Sequence, residues 1–250
     1  MKMKIKFLGT SFGAPYAGRH YQSIMLQTDG GDYLFDAGAP VMDILSDQQY
    51  DFTRIKAIFI THLHGDHMMG LPDILHLSEV FYSKMNYRVY LSEQRGIDAV
   101  KGFSDMLLFG KRAHPVSFAL IREGLFYQDD NIRVTAVHND HMEATSGISY
   151  GFLIESAGKS VYITGDLHPS LKDFPAFLAE KRVDLLVSEC AHFPVSQLME
   201  RLVGCKISSA AIVHLFPLEK YDELQKMTDS LPFRLLLPRD GDEWEIDGLV

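Results

Sequence analysis

Short apolar runs alternate with helical patterns along this chain, which marks a layered α/β protein. Ile5–Gly9 predicts a first strand, and the Gly/Ser/Pro-rich stretch from Thr10 to Gly18 predicts a loop. Ser23–Gln27 and Tyr33–Phe35 flank Asp29-Gly30-Gly31-Asp32, a hairpin signal because glycine reaches positive φ at no steric cost. Ile55–Ile60 predicts a buried strand that runs directly into Thr61-His62-Leu63-His64-Gly65-Asp66-His67. Pro72 then starts a helix with apolar positions at Ile74, Leu75, Leu77 and Phe81.

From Asn86 to Asp130 the pattern is less regular. Arg88–Leu91 predicts a short strand, Gly96–Leu108 a helix and Val116–Phe126 strand material. The Phe and Tyr residues of this middle third are expected in the core, with a substrate wall as the alternative. From Ile132 the opening pattern returns. Ile132–Val137 is a strand, and Gly151–Glu155 and Ser160–Ile163 pair around Ala157-Gly158, ending at Gly165-Asp166. The first hairpin likewise ends at Phe35-Asp36, so the chain carries a weak pseudo-repeat of strand, glycine turn, strand and Asp. Two β-rich halves packed face to face are expected. Helices are expected at Pro169–Lys181, Val195–Leu202 and Glu219–Leu231, with strands at Asp184–Val187 and Ala210–Val213. No Pro/Ser linker or low-complexity tract divides residues 1–250, so one domain is expected.

Composition narrows the class. Of 250 residues, 46% are hydrophobic and 23% charged, which excludes disordered, collagen-like and disulfide-scaffold proteins. The formal net charge of −9 argues against a broad cationic face for nucleic acid, although a local basic patch is compatible with it. Cys190 and Cys205 are too few for a disulfide framework and fit a reducing compartment. No leader pattern and no run near the ~20 apolar residues of a membrane span is found, so a soluble, cytoplasmic protein is expected. There are eleven histidines, three of them within six residues.

His62 and His64, spaced i, i+2 at a strand end, project from one face, and Gly65 permits a turn that returns Asp66 and His67 beside them. Three imidazoles and a carboxylate suit Zn²⁺ and similar divalent ions. One ion could hardly use all four from so short a segment. Two adjacent ions could share them, His62 and His64 on one, Asp66 and His67 on the other. Further along, His138 and His141 both follow the Ile132–Val137 strand, and His214 follows Ala210–Val213.

Thr61–His67 resembles the signature of the metallo-β-lactamase-fold hydrolases. Leu8-Gly9-Thr10, Phe35-Asp36-Ala37-Gly38, Gly70-Leu71-Pro72, Thr164-Gly165-Asp166 and Ser188-Glu189-Cys190 stand in that family's order, over most of the chain. Phe7-Leu8-Gly9-Thr10 and Gly70-Leu71-Pro72 resemble the ribonuclease Z and phosphodiesterase branch most. The resemblance implies a four-layer αββα sandwich, with two mixed β-sheets face to face, outer helices and a dinuclear site between the sheets. It implies the ligand set His62, His64, Asp66, His67, His141, Asp166 and His214. Asp166 would bridge two divalent ions, expected to be Zn²⁺, with Mn²⁺ or iron as alternatives. His141 is selected over His138 because Asn139-Asp140-His141 matches the family's strand, Asn, one residue, ligand.

Two such ions carry about four positive charges, of which Asp66 and Asp166 offset two; the surplus suits an anionic substrate and a bridging hydroxide. Asp66 could orient that hydroxide, and Asp36 could accept from a ligand imidazole. Glu189 could do the same or hold His192, the candidate proton donor to the leaving group, with His168 as rival. Arg19, His20 and Tyr21 could touch a phosphate. Cys190 is expected to be a buried structural thiol. His76 and His114 have no motif support, and His20 has none for a ligand role.

The expected function is therefore a metal-dependent hydrolase, a phosphodiesterase for a small or nucleotide-derived phosphodiester. The alternatives within the fold are a ribonuclease Z-type tRNA 3′ endonuclease and a thioesterase or lactonase. Asp166 lowers the β-lactamase reading, because such an enzyme would usually lack it. The resemblance gives ribonuclease Z a long arm between the third His and the bridging Asp. Here only 24 residues separate His141 from Asp166, and no His-Ser-Thr run lies between Glu189 and His214. Nucleic acid is accordingly disfavoured as a partner, a membrane is not expected, and a homodimer is compatible with the sequence. From another class, a non-catalytic metal-binding regulatory protein would need no complete ligand set.

Overall fold

The structure, a computed structural model, describes residues 2–16, 18–82, 84–108 and 116–246. Its strands are β1 (Met3–Gly9), β2 (Ser23–Thr28), β3 (Asp32–Phe35), β4 (Ile55–Phe59), β5 (Arg88–Leu91), β6 (Ser117–Leu120) and β7 (Gly124–Gln128), followed by β8 (Arg133–Asn139), β9 (Ser149–Ser156), β10 (Lys159–Ile163), β11 (Val183–Cys190), β12 (Ile207–Leu215), β13 (Arg234–Leu236) and β14 (Glu243–Glu245). Helices are α1 (Val41–Asp47), α2 (Gly65–Met68), α3 (Leu71–Val80), α4 (Gln94–Leu108), α5 (Val195–Val203) and α6 (Glu219–Met227).

The strands form two seven-stranded sheets, in the orders β14-β1-β2-β3-β4-β5-β6 and β13-β12-β11-β10-β9-β8-β7. In the first, β14, β1, β2 and β3 are joined antiparallel and β3 to β6 parallel. The second repeats this pattern, with β7, β8, β9 and β10 antiparallel and β10 to β13 parallel. The pseudo-repeat read from the two hairpins is thus a repeat of sheet topology.

Alternation along each strand sorts side chains between layers. Tyr33, Phe35, Ala57 and Phe59 of the first sheet meet Phe152, Ile154, Leu185 and Val187 of the second in one core. Leu34 and Ile58 face outward to α1, α3 and α4, where they pack with Leu45, Ile74, Leu75 and Ile97. Leu186 and Ile212 face outward to α5 and α6 and pack with Leu198, Leu202 and Leu224. Strands buried on both faces explain the nearly continuous apolar runs in the sequence. The result is the expected αββα sandwich.

Two expectations are corrected. Residues 169–181 are not a helix but a loop with one 3-10 turn at Ala176–Ala179. Pro169 and Pro175 punctuate the stretch, and Leu171 takes a left-handed φ of 52° to bury its side chain. Phe81 is no core position of α3: it caps that helix and is 67% exposed. The turn expected at Gly65 is the start of α2, which brings the His67 ring centroid to 4.2 Å from that of His62. α1, β13 and β14 are elements that the sequence pattern did not announce.

Candidate metal centre

The parallel strands deliver the chemistry to one edge of the sandwich. Asp36 follows β3, Thr61–His67 follow β4, Asp166 follows β10, His192 follows β11 and His214 lies at the end of β12. His141 enters from the end of β8. Carboxyl ends of parallel strands are where open α/β sheets place ligands. Two local backbone features shape the edge. Gly165 has a φ of +62°, and a Cβ there would lie 2.9 Å from the Tyr150 carbonyl and 3.2 Å from Thr61. Asp36 and His214, both non-glycine, also take left-handed φ values of 59° and 49°. Each such residue costs about 1–3 kcal/mol, strain found mostly at functional sites.

The side chains converge into clusters of potential ligand atoms, each within 4.8 Å of one another. One comprises His62, His64, His141 and Asp166, another Asp66, His67 and His214. Asp166 lies between them. Its Oδ2 is 3.9 Å from His62 Nε2, 3.7 Å from His141 Nε2 and 3.7 Å from His214 Nε2, and its Oδ1 is 3.4 Å from His67 Nε2. These separations are mostly long for hydrogen bonds, but two ligands of one tetrahedral Zn²⁺ stand about 3.4 Å apart.

The hydrogen bonds behind the rings point the same way. The Thr61 hydroxyl lies 3.0 Å from each Asp36 oxygen and 3.0 Å from His62 Nδ1. It donates to the carboxylate and accepts from Nδ1–H. His67 Nδ1–H donates directly to Asp36 Oδ2 at 2.7 Å, and His141 Nδ1–H to the Leu167 carbonyl at 3.3 Å. His62 and His141 are held in the tautomer that leaves Nε2 as a lone pair facing the site, and the bond to Asp36 aims His67 Nε2 the same way. His62 Nε2 and His67 Nε2 are buried with no hydrogen-bond partner among the described residues. Buried polar atoms are rarely left so. A divalent cation fits these residues.

Electrostatics separate the rings. Burial lowers His62, His64 and His141 below the usual imidazole value, so they stay neutral and able to bind metal. Burial also opposes charge on His67, but Asp166 and Asp36 outweigh it and raise His67 well above that value. Asp166 is held well below the usual carboxylate range: burial pushes it up, but the charges of His214 and His67 prevail. Asp66 is lowered in the same way, against burial, by its 3.0 Å hydrogen bond from His214 Nε2.

At the rim, His192 Nδ1–H donates to Glu189 Oε1 at 2.7 Å, and the ring centroid lies 4.8 Å from that of His141. Glu189 also accepts from the backbone of Leu167, Ala191 and His192. His138 turns away, its ring against Tyr150 and 46% exposed. His168 is engaged by Ser170 and approached by Glu143, outside the clusters. Arg19 and His20 are committed elsewhere: Arg19 to the Thr10 hydroxyl and Pro238 carbonyl, His20 to Asp240. Tyr21 packs against the Gly38 backbone. The Cys190 thiol is buried and pushed up to about 12 by that burial. His76 joins no cluster, and His114 lies outside the described residues. Sequence reasoning assigned no task to Thr61 or Asn139. Asn139 donates to the Thr164 carbonyl at 3.0 Å, tying the His141 loop to the Asp166 loop. Their adjacency to the His motifs was the available signal.

The family described as "Anti-Pycsar protein Apyc1" has a sequence model that matches residues 3–199. Ribonuclease Z of Listeria monocytogenes serotype 4b is 33% identical over 142 residues, 56% of this chain and 46% of that protein. Ribonuclease Z of Marinobacter nauticus is 35% identical over 144 residues, again 56% of this chain and 43% of that protein. The chain thus spans about half the length of the curated relatives it matches. Among solved structures, human tRNase Z, short form, superposes with a TM-score of 0.76 at 23% identity, covering 98% of this chain and 99% of that one. The metallo-β-lactamase fold protein YhfI of Bacillus subtilis gives 0.78 at 18% identity, covering 98% and 100%. A diphosphatase of the PhnP family gives 0.71 at 19%, covering 98% of each. These likenesses show the metallo-β-lactamase fold.

Proposed function

The chain belongs to the Anti-Pycsar protein Apyc1 family, and from that premise we propose that it is a two-ion, metal-dependent phosphodiesterase for a small or nucleotide-derived phosphodiester. The observation that carries this reading is the Asp166 carboxylate set between two groups of ligand atoms. His62, His64, His141 and Asp166 would hold one divalent ion, and Asp66, His67, His214 and Asp166 the other. Bound there, such ions polarise a phosphoryl oxygen and make water a strong nucleophile at neutral pH.

The chain's own groups do the rest. Asp66, whose Oδ2 lies 3.0 Å from His214 Nε2, would orient the attacking water with the carboxylate oxygen left free by the ion. His192 gives its Nδ1–H to Glu189 and carries a second proton on Nε2 for the leaving alkoxide. Glu189 favours that protonated form, raising His192 against the opposing effect of burial.

A ribonuclease Z activity is the second reading, favoured by the Listeria and Marinobacter relatives. Against it, the residues between His141 and Asp166 are used by a 3-10 turn and the β9–β10 hairpin, with none over for an RNA-gripping arm. The net charge of −9 weighs the same way. A cytoplasmic location fits the two free cysteines, and no helix among the described residues is long and apolar enough to cross a membrane. A homodimer is compatible with this reading.

The test is a substrate panel on Zn²⁺- or Mn²⁺-loaded protein, spanning nucleoside cyclic phosphodiesters, bis(p-nitrophenyl) phosphate, thioesters, lactones and precursor tRNA. Phosphodiesters should be hydrolysed at least a hundredfold faster than thioesters or lactones. Efficient tRNA 3′ cleavage at moderate salt would favour the second reading. Two bound ions with no turnover of any class would mean a metal-binding regulatory protein.

A further inference from the structure

The loop that replaces the expected helix at 169–181 carries a carboxylate the mechanism above does not use. The Asp173 Oδ2 atom accepts from the backbone N–H of Asp140 at 2.8 Å and from that of His168 at 2.9 Å. Asp140 immediately precedes His141, and His168 stands two residues after Asp166. One oxygen therefore grips both ligand-bearing loops, from β8 and from β10, at their outer side. Leu171, in its left-handed conformation and only 2% exposed, anchors the turn that places Asp173 there. The Leu171 N–H to His168 carbonyl bond at 2.8 Å closes that turn.

We propose that Asp173 is a positioning residue that sets the spacing between His141 and Asp166, and so the affinity of the metal position they share. The inference rests on the metal reading of the site. Among the described residues, two other hydrogen bonds join the same loops: His141 Nδ1–H to the Leu167 carbonyl, and Asn139 to the Thr164 carbonyl. Both begin on the His141 side, whereas Asp173 belongs to neither ligand segment and holds both. Without it, the Asp140 and His168 amides turn to water and the two loops move apart independently. The separation of 3.7 Å between His141 Nε2 and Asp166 Oδ2 is then no longer fixed. Outer supports of this kind are worth about ten- to a hundredfold in metal affinity. The adjoining Lys172, exposed and paired with Asp140 and Glu143, offers a control on the same loop that leaves the grip intact.

The experiment is a competitive Zn²⁺ titration against a chromophoric chelator, with amide hydrogen exchange on the metal-free protein. D173A should weaken binding at least tenfold and unprotect the amides of Asp140 and His168. D173N should stay within about threefold of wild type, because an amide oxygen accepts both bonds, and K172A should bind as wild type does. If D173A does not fold, D173S, too short to reach both amides, takes its place with the same expectation. Wild-type affinity in D173A or D173S overturns the proposal, as does equal loss in D173N and D173A with both amides still protected. The titration uses no substrate. Two bound ions without phosphodiester turnover would remove the proposed activity and leave this grip standing.

Discussion

Of two neighbouring histidines, His138 inside β8 and His141 just after it, only the second points into the cluster. His141 Nε2 lies 3.2 Å from His64 Nδ1, whereas the His138 ring is half exposed and packs on Tyr150. Accordingly, H141A should lose at least a hundredfold in turnover and most of one metal equivalent, while H138A stays within about threefold. Comparable losses in both variants would assign the third imidazole wrongly. The proton-donor role of His192 predicts a different signature. H192A should cost about 10²–10⁴ in kcat with an alkoxide leaving group and far less with p-nitrophenolate, which leaves without protonation. Its pH dependence has a definite sign. The protonated ring is the active form and its pKa is raised, so activity persists at lower pH and is lost as pH rises through that value. Replacing Glu189 by Gln leaves burial to dominate, and the basic limb of the kcat profile should move toward acid. At this scale much of the site was legible, because His62, His64, Asp66 and His67 are metal-ligand types packed into one segment. Asp173 was not, since a lone Asp in an expected helix carries no mark of the distant amides it meets.

Most strands and both hairpins are legible from short apolar runs and glycine turns, because both signals are local. The β2–β3 and β9–β10 hairpins even exposed the topological repeat between the sheets. The apolar spacing of 169–181 fits a helix, but tertiary burial of Leu171 and two prolines make it a loop. β14 was invisible since its partner β1 lies almost the whole chain away. One polar tie between the sheets likewise leaves no local mark in the sequence. Asp129 accepts from Tyr33 Oη of the first sheet at 2.5 Å and from Tyr127 Oη of the second at 2.8 Å, and from the amides of Asn131 and Ile132. Burial alone would raise its pKa; these hydrogen bonds outweigh that and hold it below the usual carboxylate value. A depressed folded-state pKa contributes stability above the unfolded value, about 3.9, and loses it as pH falls through the folded value. D129A should therefore destabilise the metal-free protein by about 1–3 kcal/mol at pH 7, with the difference narrowing below about pH 4. Denaturant midpoints at pH 7 and in the acid range check this, and a gap that widens in acid would contradict it.

Across the whole molecule, an acidic chain surrounds one edge where imidazoles and carboxylates converge. The net charge of −9 sets a repulsive field against polyanions, while two ions at the edge would supply local positive charge for a small phosphodiester. Metal binding should also release protons near neutral pH, because His67 is held protonated by Asp36 and Asp166 and must give up that proton to ligate. Calorimetry in buffers of different ionisation enthalpy would read this release, and a buffer-independent binding heat would contradict it. The central claim is that Asp166 joins two ions in one phosphodiesterase site. Its most direct test is turnover of bis(p-nitrophenyl) phosphate by metal-free protein titrated with Zn²⁺ or Mn²⁺, with bound metal counted in the same samples. The account predicts activity that reaches its full value at two ions per chain. Full activity at one ion, or two bound ions with no turnover, would contradict it.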